Sequence, residues 1–176
     1  MSLAPISVRD LLGHPGASRE VTLRGTLDGL ATEVVAVPDD APIQAELLLE
    51  SVIEGILVSG RLSGTFRLVC SRCLVGFESP FELTVHELFV AEPEADADDY
   101  PLDPEDGIVP EQMVRDAVGV HMPFAPLCRP DCEGLCETCG GNRNLGECPG
   151  HDALDPRFAV LSGLFPSTTD DTDDRN

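Results

Sequence analysis

The alternation of hydrophobic and polar residues along the first half of the chain is typical of β-strands. It runs through residues 21–28, 43–50, 56–70 and 81–86. A period of two residues places one set of side chains on a buried sheet face and the other set in solvent. Four such strands joined by short turns predict an antiparallel sheet that can curl toward a barrel.

The longest segment, 56–70, also contains Gly60 and Gly64, which can bend a strand or divide it into a hairpin. The side chains predicted to face the core in this segment are Ile56, Val58, Leu62, Phe66, Leu68 and Cys70. In segment 43–50 they are Ile43, Ala45, Leu47 and Leu49.

Helical signals are short and lie mostly in the second half. A capping box at Ser7–Asp10 predicts a helix that Gly13 ends. Pro110 suits the first turn of a helix to about His121, and Asp155-Pro156 predicts a third helix. Strands first and helices later indicate an α+β fold.

These patterns predict four regions along the 176 residues. Residues 1–91 form a β-rich domain that includes the N-terminal helix. Residues 92–106 carry eight acids and no base, which predicts a flexible loop. Residues 107–165 contain a helix, a cysteine-rich zinc module and a terminal helix that packs on the same domain. Residues 166–176 form a disordered acidic tail.

The charge of the chain limits its partners. It has 11 arginines, no lysine and 32 acidic residues, for a net charge of −21. Because non-specific binding to nucleic acid requires clustered cations, the surface as a whole repels RNA. A basic protein is the easier partner. No apolar run is long enough to span a bilayer and no secretory signal is visible, so we expect a cytoplasmic protein with reduced thiols.

Seven cysteines provide the strongest candidate chemistry. Cys136-Glu-Thr-Cys139-Gly140 has the form of a zinc knuckle, since the glycine accepts the positive φ that turns N–H groups toward the sulfurs. Cys70-Ser-Arg-Cys73 is a weaker example, because its nearest glycine is Gly76.

Several ligand sets are compatible with this spacing. The simplest is one compact zinc site formed by Cys128, Cys132, Cys136 and Cys139. A knuckle joined to a distant pair is the more usual plan, for example Cys136 and Cys139 with Cys70 and Cys73. Cys148 and His151 complete eight potential ligands, which is enough for two ions. A closed set of four protein ligands leaves no position for a substrate, so the expected role of zinc is structural.

Other readings of the thiols have less support. A thiol-disulfide or redox-sensing pair at Cys136 and Cys139 is the main alternative, and an iron–sulfur cluster would use the same residues. No hydrolase, nucleotide-binding or metalloprotease motif is present, and we expect no enzymatic activity and no small-molecule substrate.

Five arginines form the best candidate RNA-facing or partner-binding surface. Two share the polar face of the long strand and three lie within the cysteine motifs; they are Arg61, Arg67, Arg72, Arg129 and Arg143. Arginine binds phosphate well, but these side chains can equally neutralise nearby carboxylates and thiolates.

Several motifs together resemble the bacterial YceD family, which has plastid relatives in plants. They are Ser7-Val-Arg-Asp-Leu-Leu, Cys70-Ser-Arg-Cys73-Leu, Pro126-Leu-Cys128, Gly134-Leu-Cys136-x-x-Cys139-Gly140, Asn142-x-Asn144 and Asp155-Pro-Arg-Phe-Ala159. The resemblance implies a role in accumulation of the large-subunit (23S) ribosomal RNA. It also implies zinc at Cys128, Cys132, Cys136 and Cys139.

The sequence therefore predicts a non-enzymatic factor in ribosome biogenesis with no membrane segment. A zinc-stabilised surface with Arg129, Asn142, Arg143 and Asn144 would contact a ribosomal protein or a 23S rRNA precursor. Two positions depart from the family pattern. Arg143 replaces a leucine between the asparagines, and Cys148-x-x-His151 replaces a closer cysteine pair.

Overall fold

A computed structural model describes residues 3–93, 99–105 and 107–151. The chain divides into two compact units, Met1–Gly134 and Leu135–Asn176. The first unit contains a β-sheet and an α-helix. The described part of the second contains a short 3-10 helix at Arg143–Leu145.

Six strands of the first unit form one sheet. They are β1 Ser18–Gly25, β2 Val35–Ala36, β3 Ile43–Ser51, β4 Ile56–Val69, β5 Gly76–Val90 and β6 Tyr100–Pro101. The strand order is β1-β3-β4-β5-β6, and β2 pairs with β4. All pairs are antiparallel except β5 and β6, which run parallel.

The sheet is open and mixed, so the expected curl into a barrel is wrong. Among the described residues β1 and β6 lie at opposite edges of the strand order and do not pair with each other. A barrel needs its first and last strands to pair, whereas here an apolar N-terminal segment and a helix supply buried side chains to the same core as the sheet.

Alternation correctly identified the buried sheet face. Ile43, Ala45, Leu47 and Leu49 are all buried, and so are the six residues predicted from segment 56–70. That segment forms the single strand β4 and the initial residue of the following turn, not a hairpin. At Gly60 an added Cβ would lie 2.1 Å from the carbonyl oxygen of Glu46, so glycine permits the close approach of β3.

The predicted N-terminal helix does not form. Residues 9–13 make turns, in which the N–H groups of Leu11 and Leu12 both donate to the carbonyl of Val8, at 2.9 and 3.0 Å. Gly13 has a φ of 75°, which ends the helical path after one turn. The segment instead pairs Ile6 with Ile108 and buries Leu3, Ile6, Val8 and Leu11 in the core, whereas Leu12 is exposed.

The helix predicted after Pro110 is present as α1, Glu111–His121. Its apolar side faces the core through Met113, Val114 and Val118, whereas His121 is exposed. In the described part of the chain no helix is long and apolar enough to cross a membrane. The short strand β6 lies within the predicted acidic loop 92–106. The helix predicted from Asp155 and the tail 166–176 lie outside the described residues.

Candidate metal centres

The turn between β4 and β5 holds the first Cys-x-x-Cys pair. The N–H of Cys70 donates to the carbonyl of Val75 (3.0 Å), and the N–H of Leu74 donates to the carbonyl of Cys70 (2.9 Å). The residue after the second cysteine takes a positive φ, which is 58° at Leu74. Cys70 and Cys73 are both buried at this end of the hairpin.

The turn at Cys136 and Cys139, in the second unit, repeats this pattern. The N–H of Cys136 donates to the carbonyl of Gly141 (2.9 Å), and the N–H of Gly140 donates to the carbonyl of Cys136 (2.8 Å). Gly140 has a φ of 72°. The chain therefore contains two Cys-x-x-Cys turns with matching backbone hydrogen bonds, one with leucine and one with glycine at the left-handed position.

In the first unit, the hairpin turn meets the segment that follows α1. The sulfur of Cys70 lies 3.8 Å from that of Cys132, and the sulfur of Cys73 lies 3.7 Å from that of Cys128. These four residues form the first group, and their sulfurs all lie within 4.8 Å of one another.

Two hydrogen bonds hold the segment that follows α1 against the β4–β5 hairpin. The N–H of Ser71 donates to the carbonyl of Pro126 (2.9 Å), and Nη1 of Arg72 donates to the carbonyl of Cys132 (2.9 Å). Gly134 also approaches the hairpin, since an added Cβ there would lie 3.0 Å from the carbonyl oxygen of Arg72. These contacts bring Cys128 and Cys132 next to Cys70 and Cys73.

In the second unit, Cys136 and Cys139 meet Cys148 and His151. These four residues form the second group, and one donor atom from each lies within 4.8 Å of the others. Asn142 shapes the intervening loop, because its Oδ1 accepts from the N–H of Asn144 (3.0 Å). Cys139 and His151 are exposed, and Cys136 and Cys148 are half-buried.

The sulfur spacing of the first group matches tetrahedral coordination of an ion, and the donor atoms of the second group lie within 4.8 Å of one another. Four ligands at about 2.3 Å from an ion lie about 3.8 Å from one another, by tetrahedral geometry. The two sulfur–sulfur distances in the first group are 3.8 and 3.7 Å. The donor sets are four thiols in one case, and three thiols with one imidazole in the other. Each group could therefore hold a metal ion.

The backbone of each turn favours a thiolate at its first cysteine. Burial alone would raise the pKa of Cys70, but N–H groups of Cys128, Cys73 and Arg72 lower that pKa to about 6. N–H groups of Cys139 and Thr138 lower the pKa of Cys136 to about 6 as well.

The neighbouring thiols respond in the opposite direction. Desolvation, together with the thiols of Cys73, Cys70 and Cys132, raises the pKa of Cys128 to about 12. Four close sulfurs cannot all carry charge without a cation, so a bound metal ion would favour the thiolate form of this group.

The structure divides the compact set of candidate ligands between the two groups. Cys128 and Cys132 lie with Cys70 and Cys73, whereas Cys136 and Cys139 lie with Cys148 and His151. The missed signal was the order of the motifs, since each Cys-x-x-Cys turn has its own later pair, Cys128-x3-Cys132 or Cys148-x2-His151.

Three of the five candidate arginines lie beside carboxylates. Arg61 lies 3.5 Å from Glu82, and Arg67 lies 3.8 Å from Glu78 and 3.9 Å from Asp40. Arg129 lies 3.5 Å from Asp131, and Arg72 binds the carbonyl of Cys132. Arg143 is exposed on the 3-10 helix.

Comparison with known proteins agrees with the resemblance in the sequence. The family described as large ribosomal RNA subunit accumulation protein YceD matches residues 58–165, which include all seven cysteines and His151. An uncharacterized protein of Mycobacterium tuberculosis (strain H37Rv) is 36% identical over 176 residues, covering 94% of this chain and 83% of the relative. One of Mycobacterium leprae is 35% identical over 163 residues, covering 86% and 73%. No solved structure matches the chain significantly.

Proposed function

The chain belongs to the YceD family of large ribosomal RNA subunit accumulation proteins, and from this membership we propose that it is a non-enzymatic factor in ribosome biogenesis. The family supports a role in accumulation of ribosomal RNA, and the match over residues 58–165 is the observation that carries the proposal. We place this role in the cytoplasm, where the large-subunit RNA is made and assembled in bacteria.

A non-catalytic role is consistent with the strongest chemical feature of the molecule. Both cysteine groups offer four protein ligands, and such closed sets leave an ion no open position for a substrate. Zinc is the ion that best fits sets of four thiolates, or of three thiolates and an imidazole. The residues that would hold it are those of the first group and those of the second group.

The direct partner in this proposal is a basic ribosomal protein of the large subunit. The net charge of −21 attracts cationic proteins and repels RNA. Arg61, Arg67 and Arg129 each lie beside a carboxylate, which reduces their capacity to bind phosphate. Recognition of a 23S precursor through Arg143, Asn142 and Asn144 is the alternative mode for the same function.

A redox role at Cys136 and Cys139 has one observation in its favour, the lowered pKa of Cys136. A redox pair needs two sulfurs, however, and here Cys148 and His151 converge on the same point. Four converging donors favour an ion over a disulfide. Metal analysis of protein purified without added metal distinguishes these roles, since a redox protein would contain no stoichiometric zinc.

The test of the proposed function is the ratio of 23S to 16S RNA in cells depleted of the protein. We expect this ratio to fall, and the wild-type gene to restore it. A Cys70→Ser, Cys132→Ser double variant should restore it poorly, because the first group then lacks two ligands. An Asp40→Asn variant serves as the control, since Asp40 lies in an exposed ion pair with Arg67 and belongs to neither group. An unchanged ratio after depletion would overturn the proposal.

A further inference from the structure

The described part of the second unit has almost no apolar core. Among residues 135–151, Asn142 is the one buried residue, and Leu145 is 70% exposed. Leu135 is half-buried and belongs to neither of the two clusters of buried apolar residues. Burial of apolar surface normally offsets the loss of chain entropy on folding, and this segment buries little.

Local polar contacts order residues 135–151 within the described part of the unit. An antiparallel bridge joins Leu135 to Asn142, and Oε2 of Glu147 accepts from the N–H of Asn142 at 2.9 Å. Oδ1 of Asn142 also accepts from the side chain of Asn144 at 2.9 Å. Such exchanges of water for protein partners contribute little net stability, so these contacts do not hold the loop by themselves.

The first group is placed very differently. Cys70, Cys73 and Cys132 are 0%, 5% and 2% exposed, and Cys128 is the one exposed ligand of this group. In the second group Cys139 and His151 are both exposed, and Cys136 and Cys148 are half-buried. Because the second group has no fully buried ligand, water and a competing chelator reach it more easily than the first group, which has three.

We propose that the second group is an exchangeable zinc site whose occupancy folds residues 135–151, whereas the first group retains its ion as long as its unit is folded. On binding, the thiols that are still protonated release their protons to solvent, and four protein ligands displace water from zinc; on release, water returns to the ion and the thiols take those protons back. No oxidant is involved. The inference rests on zinc binding as proposed above, but not on the role in RNA accumulation.

Folding of this segment presents a defined surface. The 3-10 helix Arg143–Leu145 lies between Cys139 and Cys148, and its Arg143 and Leu145 side chains are exposed. Zinc would hold the two ends of this loop together, so that both side chains are presented in a fixed geometry only when the ion is bound.

Trypsin provides a direct probe, because Arg143 is the one arginine within residues 135–151. Zinc-loaded full-length protein is incubated with increasing chelator, and released zinc and cleavage after Arg143 are followed together. We expect one zinc to leave first, with cleavage after Arg143 rising at least about tenfold, since protection tracks the fraction of folded segment. The zinc of the first group should leave only when the first unit unfolds, and cleavage after Arg115 in α1 reports this unfolding.

Two histidine variants make the test specific. His151→Ala should retain one zinc and be cleaved after Arg143 without chelator, whereas His14→Ala, at an exposed histidine of the first unit, should behave as wild type. Cys139→Ser should reproduce the His151→Ala result. Simultaneous loss of both ions, or unchanged protection in both second-group variants, would overturn the inference. Protein without any zinc would instead refute the metal proposal itself.

Discussion

Leu74 occupies a backbone conformation that ordinarily selects glycine. Its φ of 58° makes it the one non-glycine residue with positive φ among those described. Its side chain is 62% exposed, so apolar burial does not compensate for the conformation. Because glycine directly follows Cys139 but not Cys73, the sequence predicts a weaker knuckle at Cys70 than at Cys136. The hydrogen bonds show that both turns need the same conformation.

Replacing Leu74 by glycine should consequently stabilise the protein. The left-handed conformation costs an L-residue about 1–2 kcal/mol, and the added freedom of glycine in the unfolded chain returns roughly 0.5–1 kcal/mol of this. We expect Leu74→Gly to raise the free energy of unfolding of the zinc-loaded protein by about 0.5 kcal/mol, measured by urea titration.

Leu12→Gly is the matched control for this variant. Leu12 is also an exposed leucine in a turn, at 46% exposure, but its φ is not positive. Glycine there should lower the free energy of unfolding by about 0.5–1 kcal/mol, since it adds chain entropy without relieving strain. Equal losses in the two variants would show that the conformation of Leu74 is not strained.

At the scale of elements, period-two alternation predicted the long strands and their buried faces well. It worked for β3 and β4 because each has one face in the core and the other in solvent. The two-residue strands β2 and β6 are too short to carry a period, and β6 begins at Tyr100 within a segment dominated by acids. Such strands depend on the sheet edge that receives them, which composition does not encode.

The division of the cysteines into two groups could not be predicted from their spacing along the chain. Spacing placed Cys128 and Cys132 beside Cys136 in sequence, and a compact site was the simplest arrangement. Their partners Cys70 and Cys73 lie in the turn between β4 and β5. Because these two pairs are far apart in sequence, their contact depends on the completed fold. The Cys-x-x-Cys turns themselves are local, and the sequence identified both.

The hydrogen bond between the β4–β5 hairpin and the segment that follows α1 predicts a stabilising role for Arg72. Its Nη1 donates to the carbonyl of Cys132 at 2.9 Å, across the first group. We expect Arg72→Ala to lower the free energy of unfolding of the zinc-loaded protein by about 1–2 kcal/mol, because a charged donor to a partly buried carbonyl is lost. Urea titration followed by circular dichroism measures this change.

Arg67→Ala is the corresponding control on β4. Arg67 forms only exposed ion pairs, at 3.8 and 3.9 Å, and such pairs are worth roughly 0–1 kcal/mol. Its removal should change the free energy of unfolding by less than about 0.5 kcal/mol. If Arg67→Ala costs as much as Arg72→Ala, the contact to Cys132 does not contribute specifically.

At the scale of the whole molecule, the net charge predicts attraction to a basic ribosomal protein and repulsion of a 23S RNA precursor. A net charge of −21 on 176 residues gives a field that draws in cationic proteins at low ionic strength. Zinc bound by four thiolates carries two net negative charges, and zinc bound by three thiolates and a neutral imidazole carries one. Metal loading therefore leaves the protein strongly acidic.

The expected signature is a salt-dependent complex with basic large-subunit ribosomal proteins. Between about 50 and 500 mM KCl, we expect the dissociation constant for such a protein to rise at least about tenfold, because screening weakens attraction between exposed charges. Fluorescence anisotropy with labelled ribosomal protein measures it, and an acidic ribosomal protein of similar size is the control. A 23S RNA fragment should show no saturable binding at about 100 mM KCl, since the net charge is −21 and five of the nine described arginines lie beside a carboxylate. Saturable RNA binding with a steep salt slope would instead make the precursor the direct partner, with Arg143 the first residue to replace.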